Sequence, residues 1–231
     1  SGGSVSGSAD AFASDFDAGD FDVSDDFEGD GFDGGFDADS FGDIGDVWPI
    51  VIDMDGDGVQ ITPVHESTAF FDMNDDGFRN LTGWAGPGDG LLAYDRDADG
   101  AITSIDEIAF IGYQEGAASD LEGLRAFDTN EDGNLSGDDA QWNQFGVWID
   151  ANQDGVSDAG EFLSLDDHGI TELSLTSDGV EQPLDDGGRV LGTTTATTDS
   201  GEILAAADAV LRYTETGYHT TEDGYIVFGA G

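Results

Sequence analysis

The chain has 231 residues, with 52 acidic side chains against five basic ones, all arginine, and a formal charge of −47. That balance excludes nucleic-acid binding and attraction to an anionic membrane, both of which need a basic surface. The absence of cysteine removes disulfides, thiolate metal sites and a cysteine nucleophile, and no apolar run reaches the roughly twenty residues of a spanning helix, so no membrane insertion is expected.

Residues 1–47 read as a tail. Phe12, Phe16, Phe21, Phe27, Phe32, Phe36 and Phe41 are set in Asp, Gly and Ser, and Val5, Val23, Ile44 and Val47 are its only aliphatics larger than alanine. Such a segment cannot bury enough apolar surface to offset ordering, so disorder is expected. Residues 34–41 approach the calcium-binding nonapeptide of RTX β-rolls, except that Asp37 stands where a glycine belongs. A single degenerate copy has no neighbour to stack on.

From Trp48 the pattern becomes globular. Residues 49–52 form a short buried strand running into Asp53-Met-Asp-Gly-Asp-Gly58, the first of five acidic loops. The second opens at Asp72-Met-Asn-Asp-Asp-Gly77. A strand over 91–94 enters the third, Asp95-Arg-Asp-Ala-Asp-Gly100. Residues 105–111 and 120–127 read as helices, the latter with Leu121, Leu124 and Phe127 on one face. The fourth loop is Asp128-Thr-Asn-Glu-Asp-Gly133, followed by a short helix over 138–145 and a strand over 147–149. The fifth, 150–161, has oxygen donors at positions 1, 3, 5, 9 and 12 and Gly155 at the sixth. A brief helix over 162–167, a strand over 170–175, and strands over 189–198 and 209–213 complete the domain, with a helical alternative for the last because of the alanines at 205–207. Residues 225–228 suit a final strand or an export signal.

The loop spacing is that of a calcium site. Calcium takes six to eight oxygens, and carboxylates at alternate positions of a tight loop turn toward one point, while the seventh residue donates its carbonyl. The expected ligands are Asp150, Asn152, Asp154, Val156, Asp158 and Glu161 in the fifth loop, and Asp128, Asn130, Asp132, Asn134, Ser136 and Asp139 in the fourth. The third offers Asp95, Asp97, Asp99, Ala101 and Thr103, closed by Asp106 or Glu107. The second offers Asp72, Asn74, Asp76 and Phe78; its twelfth residue is Gly83, so Asp89 is expected to reach back and close it. The first offers Asp53, Asp55, Asp57 and Val59, and needs a closing ligand from elsewhere. The fold expected is α+β, with short strands and helices organised around EF-hand-like calcium loops over 48–213, the acidic tail before it and a C-terminal segment, 214–231, after it.

Residues 49–58, 70–77, 82–84, 89–92 and 147–155, in that order, resemble the haemolysin-type calcium-binding domain that includes the self-processing modules of RTX proteins. The resemblance implies calcium as cofactor, type I secretion and folding outside the cell. It also implies calcium-triggered cleavage of an Asp-Pro bond, but here Trp48 precedes Pro49, and tryptophan has no carboxylate to act as the nucleophile. Lysine, the acceptor in the family's ligation step, is absent. The reading is therefore a calcium-dependent folding and structural or interaction module of a secreted bacterial protein, not an enzyme, with self-processing at another site as the alternative. Asp199-Ser-Gly201 has no second copy to form an aspartic-protease pair, and His65-Glu66 lacks the second histidine of a zinc helix.

Overall fold

The computed structural model describes residues 44–229. The motif at 34–41 and the tail lie outside them, except for Ile44–Val47, which form strand β1. The strands that follow are β2 Ile50–Ile52, β3 Ile61–Thr62, β4 Phe70–Phe71, β5 Arg79–Thr82, β6 Trp84–Ala85 and β7 Gly90–Tyr94. Helix α1, Asp120–Gly123, is followed by β8 Asn134–Ser136, β9 Phe145–Trp148, β10 Phe162–Ser164, β11 Ile170–Ser174, β12 Gln182–Pro183, β13 Arg189–Thr198, β14 Ile203–Thr220 and β15 Ile226–Gly229.

The architecture is a mainly antiparallel β-sheet, ordered β10-β9-β7-β2-β14-β13-β11-β8 along its principal path. This overturns the α+β expectation and the flanking helices of an EF-hand. Its cause is local: between residues 95 and 167, where the helices were expected, acidic loops and glycines cut the chain into segments shorter than the roughly 12–15 residues at which a helix becomes stable by itself. Of the helix expected over 105–111, only single 3-10 turns remain at Ile105–Glu107 and Ile111–Tyr113. That over 120–127 is α1 followed by a 3-10 turn, Leu124–Ala126. Gly123 in α1 lies so close to the Phe110 carbonyl that a Cβ would collide with it. Residues 138–145 keep one turn, Trp142–Gln144, before β9 begins. The helix expected over 162–167 is instead β10, which pairs with β9 through Phe162↔Trp148.

β14 organises the sheet. Its 18 residues pair with β13 and then β5 along one side and, in succession along the other, with β2, β1 and β15. It continues past residue 213 into the C-terminal segment expected over 214–231, and the alanines at 205–207 are strand. Side chains alternate between two cores, one on each face of the sheet. Ile50, Ile52, Ala206, Phe110, Leu124 and Phe145 belong to one, and Val51, Ala209, Leu211, Phe71, Trp84 and Trp148 to the other. In the second, the rings of Trp84 and Trp148 meet edge to face at 5.2 Å. Burial on both faces accounts for near-continuous apolar runs such as Leu91-Leu92-Ala93.

Candidate metal centre

The five loops share one backbone. The sixth residue has positive φ in each: Gly58, Gly77, Gly100, Gly133 and Gly155. So does the fourth, which is Gly56 in the first loop but Asp75, Ala98, Glu131 and Gln153 in the others, at φ of 56°, 60°, 59° and 59°. Those four are the positive-φ non-glycine residues among the described residues, a conformation that costs side-chain-bearing residues about 1–2 kcal/mol. Backbone hydrogen bonds hold each loop in this form. The first aspartate accepts from the sixth residue's N–H with one oxygen and from the fourth or fifth with the other: Gly58 at 3.0 Å and Gly56 at 2.7 Å on Asp53, Gly155 at 2.8 Å and Asp154 at 3.3 Å on Asp150. Asp72, Asp95 and Asp128 repeat this with Gly77, Gly100 and Gly133. The fifth residue's carboxylate accepts from the seventh N–H in four loops, at Phe78, Ala101, Asn134 and Val156.

A closing carboxylate completes four loops by accepting from the second residue's N–H and from the eighth or ninth. Glu161 takes Ala151 and Asp158, both at 3.0 Å. Asp139 takes Thr129 at 2.7 Å and Ser136 at 2.9 Å, leaving the neighbouring Asp138 exposed. In the third loop Glu107 closes, accepting from Arg96 and Thr103. Asp106, the other candidate there, is turned outward and pairs with the Arg96 guanidinium at 3.0 Å.

Asp89 closes the first loop, not the second. Its carboxylate accepts from Met54 at 3.3 Å and from Gln60. One oxygen from each of Asp53, Asp55 and Asp89 falls within 4.8 Å of the others, as do those of Asp95, Asp97 and Asp99. The second loop uses a residue that the spacing argument passed over. Asn80 is fully buried, and its Oδ1 accepts from Met73 N–H at 3.2 Å, in the slot that a carboxylate fills elsewhere. Its place as ninth residue of an otherwise regular loop was the available signal, hidden because a closing acid was sought.

The seventh-position side chains Val59, Phe78, Ala101, Asn134 and Val156 are half-buried; Val59 packs against the second core and Phe78 meets the His219 ring at 4.6 Å. Loop five touches the segment that enters loop two. Phe70 N–H donates to the Asp154 carbonyl at 3.1 Å, Thr68 donates to that of Gln153 at 2.8 Å, and a Cβ on Gly155 would fall 2.5 Å from the Phe70 carbonyl oxygen.

Burial acts against these charges. Desolvation, opposed by two backbone hydrogen bonds and reinforced by Asp53 and Asp55, pushes the Asp89 carboxyl up to about 6. Burial likewise raises that of Asp150, with Glu161 adding to it. A bound cation would reverse that balance by supplying the missing positive charge. The donors fit a hard cation: each loop presents aspartate, asparagine or glutamate oxygens without histidine or cysteine, the set that suits calcium and not zinc.

No helix among the described residues is long and apolar enough to cross a membrane. Over 171 residues the chain is 32% identical to the iron-regulated protein FrpA of Neisseria meningitidis serogroup C, an alignment that covers 69% of this chain and 15% of that protein. The chain thus spans a small part of that relative's length. The profile of the SPM domain matches residues 50–212, from β2 into β14, and so takes in all five loops. With that match extending over most of its length, the protein belongs to the SPM domain family.

Proposed function

We propose that residues 48–213 are a calcium-dependent folding and structural module of a secreted, RTX-like bacterial protein, using its loops to hold calcium at Asp53/Asp55/Asp89, Asp72/Asn74/Asp76/Asn80, Asp95/Asp97/Asp99/Glu107, Asp128/Asn130/Asp132/Asp139 and Asp150/Asn152/Asp154/Glu161. One observation carries this reading. Among the described residues eight carboxyl side chains are buried, and six of them, Asp53, Asp89, Asp95, Glu107, Asp139 and Asp150, are first or closing residues of loops. Burying an ionised carboxylate without a counter-charge is costly, and none of these six is in an ion pair with an arginine or histidine. A cation in each loop supplies the compensation. Secretion accords with this, because low cytosolic calcium would leave the chain unfolded for export and higher calcium outside would fold it.

Circular dichroism and tryptophan fluorescence of the chain in excess chelator test the proposal. The expected result is a disordered chain that orders cooperatively as millimolar calcium is added. A native-like, cooperatively melting spectrum in chelator would overturn it. The module acts without cleaving the Trp48–Pro49 bond. That junction lies between β1 and β2, both paired with β14, and the Pro49 carbonyl accepts from Ala209 N–H at 3.0 Å. An unchanged mass after incubation with calcium is the expected outcome, and the appearance of fragments would favour self-processing instead.

A further inference from the structure

Two buried carboxyls stand apart from the loops. Asp120 in α1 is fully buried and Asp208 in β14 is 2% exposed. Each uses one oxygen to hold backbone. Asp120 Oδ1 accepts from Ile111 N–H at 2.6 Å, fixing the 111–113 turn. Asp208 Oδ2 accepts from Leu121 N–H at 3.2 Å, fixing the start of α1 to the central strand. The other oxygens, Asp120 Oδ2 and Asp208 Oδ1, are buried without a hydrogen-bond partner.

Among the described residues no cation pairs with either carboxyl. β2 and β13 oppose Asp208 with Ile50 and Gly192. A cleft of about 430 Å³ between α1 and the 175–181 segment is lined by Asp208 together with Glu122, Glu181 and Arg125. Arg125 is exposed and forms no ion pair with either carboxyl. Glu122 accepts from Ala118 N–H and adds negative charge near Asp208. Asp178, beside the cleft, is engaged by Val180 and Thr193. Tyr113, on the 111–113 turn, donates its hydroxyl to the Asp106 carbonyl. Two carboxylates this deep, with an orphan acceptor on each and no cation, cannot both stay ionised.

We propose that Asp120 and Asp208 form a proton-dependent latch: the pair holds at least one proton at neutral pH, tying α1 and the 111–113 turn to β14, and the attachment loosens as that proton is lost. Burial raises both carboxyls above the ordinary range, with the charge of Asp208 adding to the effect on Asp120. The folded state therefore keeps a proton that the unfolded chain releases near the ordinary aspartate value of about 3.9. The latch's contribution to stability is complete below that value and is lost as pH rises toward the raised one.

Infrared spectroscopy of the full chain in saturating calcium at about pH 7 reads the proton directly, because exposed carboxyls are ionised there. The wild type is expected to show an un-ionised carboxyl band that the Asp120→Asn/Asp208→Asn variant lacks. Absence of the band in the wild type, or its persistence in the variant, overturns the latch. Denaturation at fixed calcium gives a second reading. Relative to the variant, the wild-type folding constant should fall with pH by up to about tenfold per unit for one retained proton; a ratio independent of pH overturns the proposal. If the variant does not fold, hydrogen exchange of the wild type decides. The band must fade over the pH range in which the Ile111 and Leu121 amides lose protection, and protection unchanged after the band has gone overturns it.

Discussion

Asp89 and Asn80 show how one side chain decides whether an acidic loop closes. Asp89 holds the Met54 and Gln60 N–H groups from 35 and 29 residues away in sequence. Replacing it with alanine strips two partly buried donors of their acceptor, each worth about 1–3 kcal/mol when left unsatisfied. Asp89→Ala should abolish calcium binding at the first loop and leave the second intact; calorimetric titration that instead lost the second loop's site would show the assignment to be wrong. Asn80 gives the converse case. It closes its loop with a neutral amide whose Nδ2 donates to the Glu215 carbonyl of β14 at 3.3 Å. Asn80→Ala should cost about 1–3 kcal/mol of stability, measured by denaturation at fixed calcium, and an effect within about 0.5 kcal/mol would mean that water replaces the amide without loss.

At the scale of the element, the loops tie the strands together, and their contacts make chemically equal positions unequal. Gly133 and Gly155 both occupy the sixth position with positive φ, but nothing lies within 4 Å of a Cβ on Gly133, whereas one on Gly155 would press into the Phe70 backbone. Gly133→Ala should therefore cost about 1 kcal/mol, the conformational penalty alone. Gly155→Ala adds overpacking of about 1–3 kcal/mol and should also loosen the second loop, whose entering strand it displaces. Equal losses in denaturation experiments would remove the interlocking of the two loops. The same contrast explains what was legible in the sequence. The first six positions of every loop could be read because one tight turn spaces three oxygen-bearing side chains, at positions 1, 3 and 5, before a glycine. Glu161 and Asp139 could be read for the same reason. Asp89 was visible as a candidate but was given to the wrong loop, because only the sheet shows that it lies at the start of β7, beside β2 and the loop that β2 enters. Glu107 and Asp106 were indistinguishable until the 3-10 turn capped by Ser104 aimed one inward. The helix over 105–111 was overread: its apolar spacing fits a helix, but loop closure and Gly112 left room only for single turns, whereas 120–127 keeps α1 and the 3-10 turn that follows it.

For the molecule as a whole, the question is whether calcium acts on the total charge or on the loops. A charge of −47 favours expansion of the chain, and salt weakens that long-range repulsion, with a screening length of about 3 Å at 1 M. Carboxylate oxygens within 4.8 Å of one another and partly enclosed, as at Asp53, Asp55 and Asp89, are screened much less. Five calcium ions would leave most of the total charge in place, so their benefit must be local. With a dissociation constant of about 0.1 mM, about 10 mM calcium contributes roughly 2.7 kcal/mol per site by mass action. Five independent sites would contribute on the order of 13 kcal/mol, comparable to the entire stability of a typical domain, about 5–15 kcal/mol. Sodium chloride at about 1 M should therefore compact the calcium-free chain without restoring the cooperative unfolding that 10 mM calcium gives. Magnesium at 10 mM should also fall short, since it demands near-ideal octahedral geometry and gives up its water reluctantly. Scattering would report compaction, and near-ultraviolet circular dichroism would report packing of the tryptophans at 84 and 148. A native near-ultraviolet spectrum in salt alone would show that the folding switch is the total charge and not the loops.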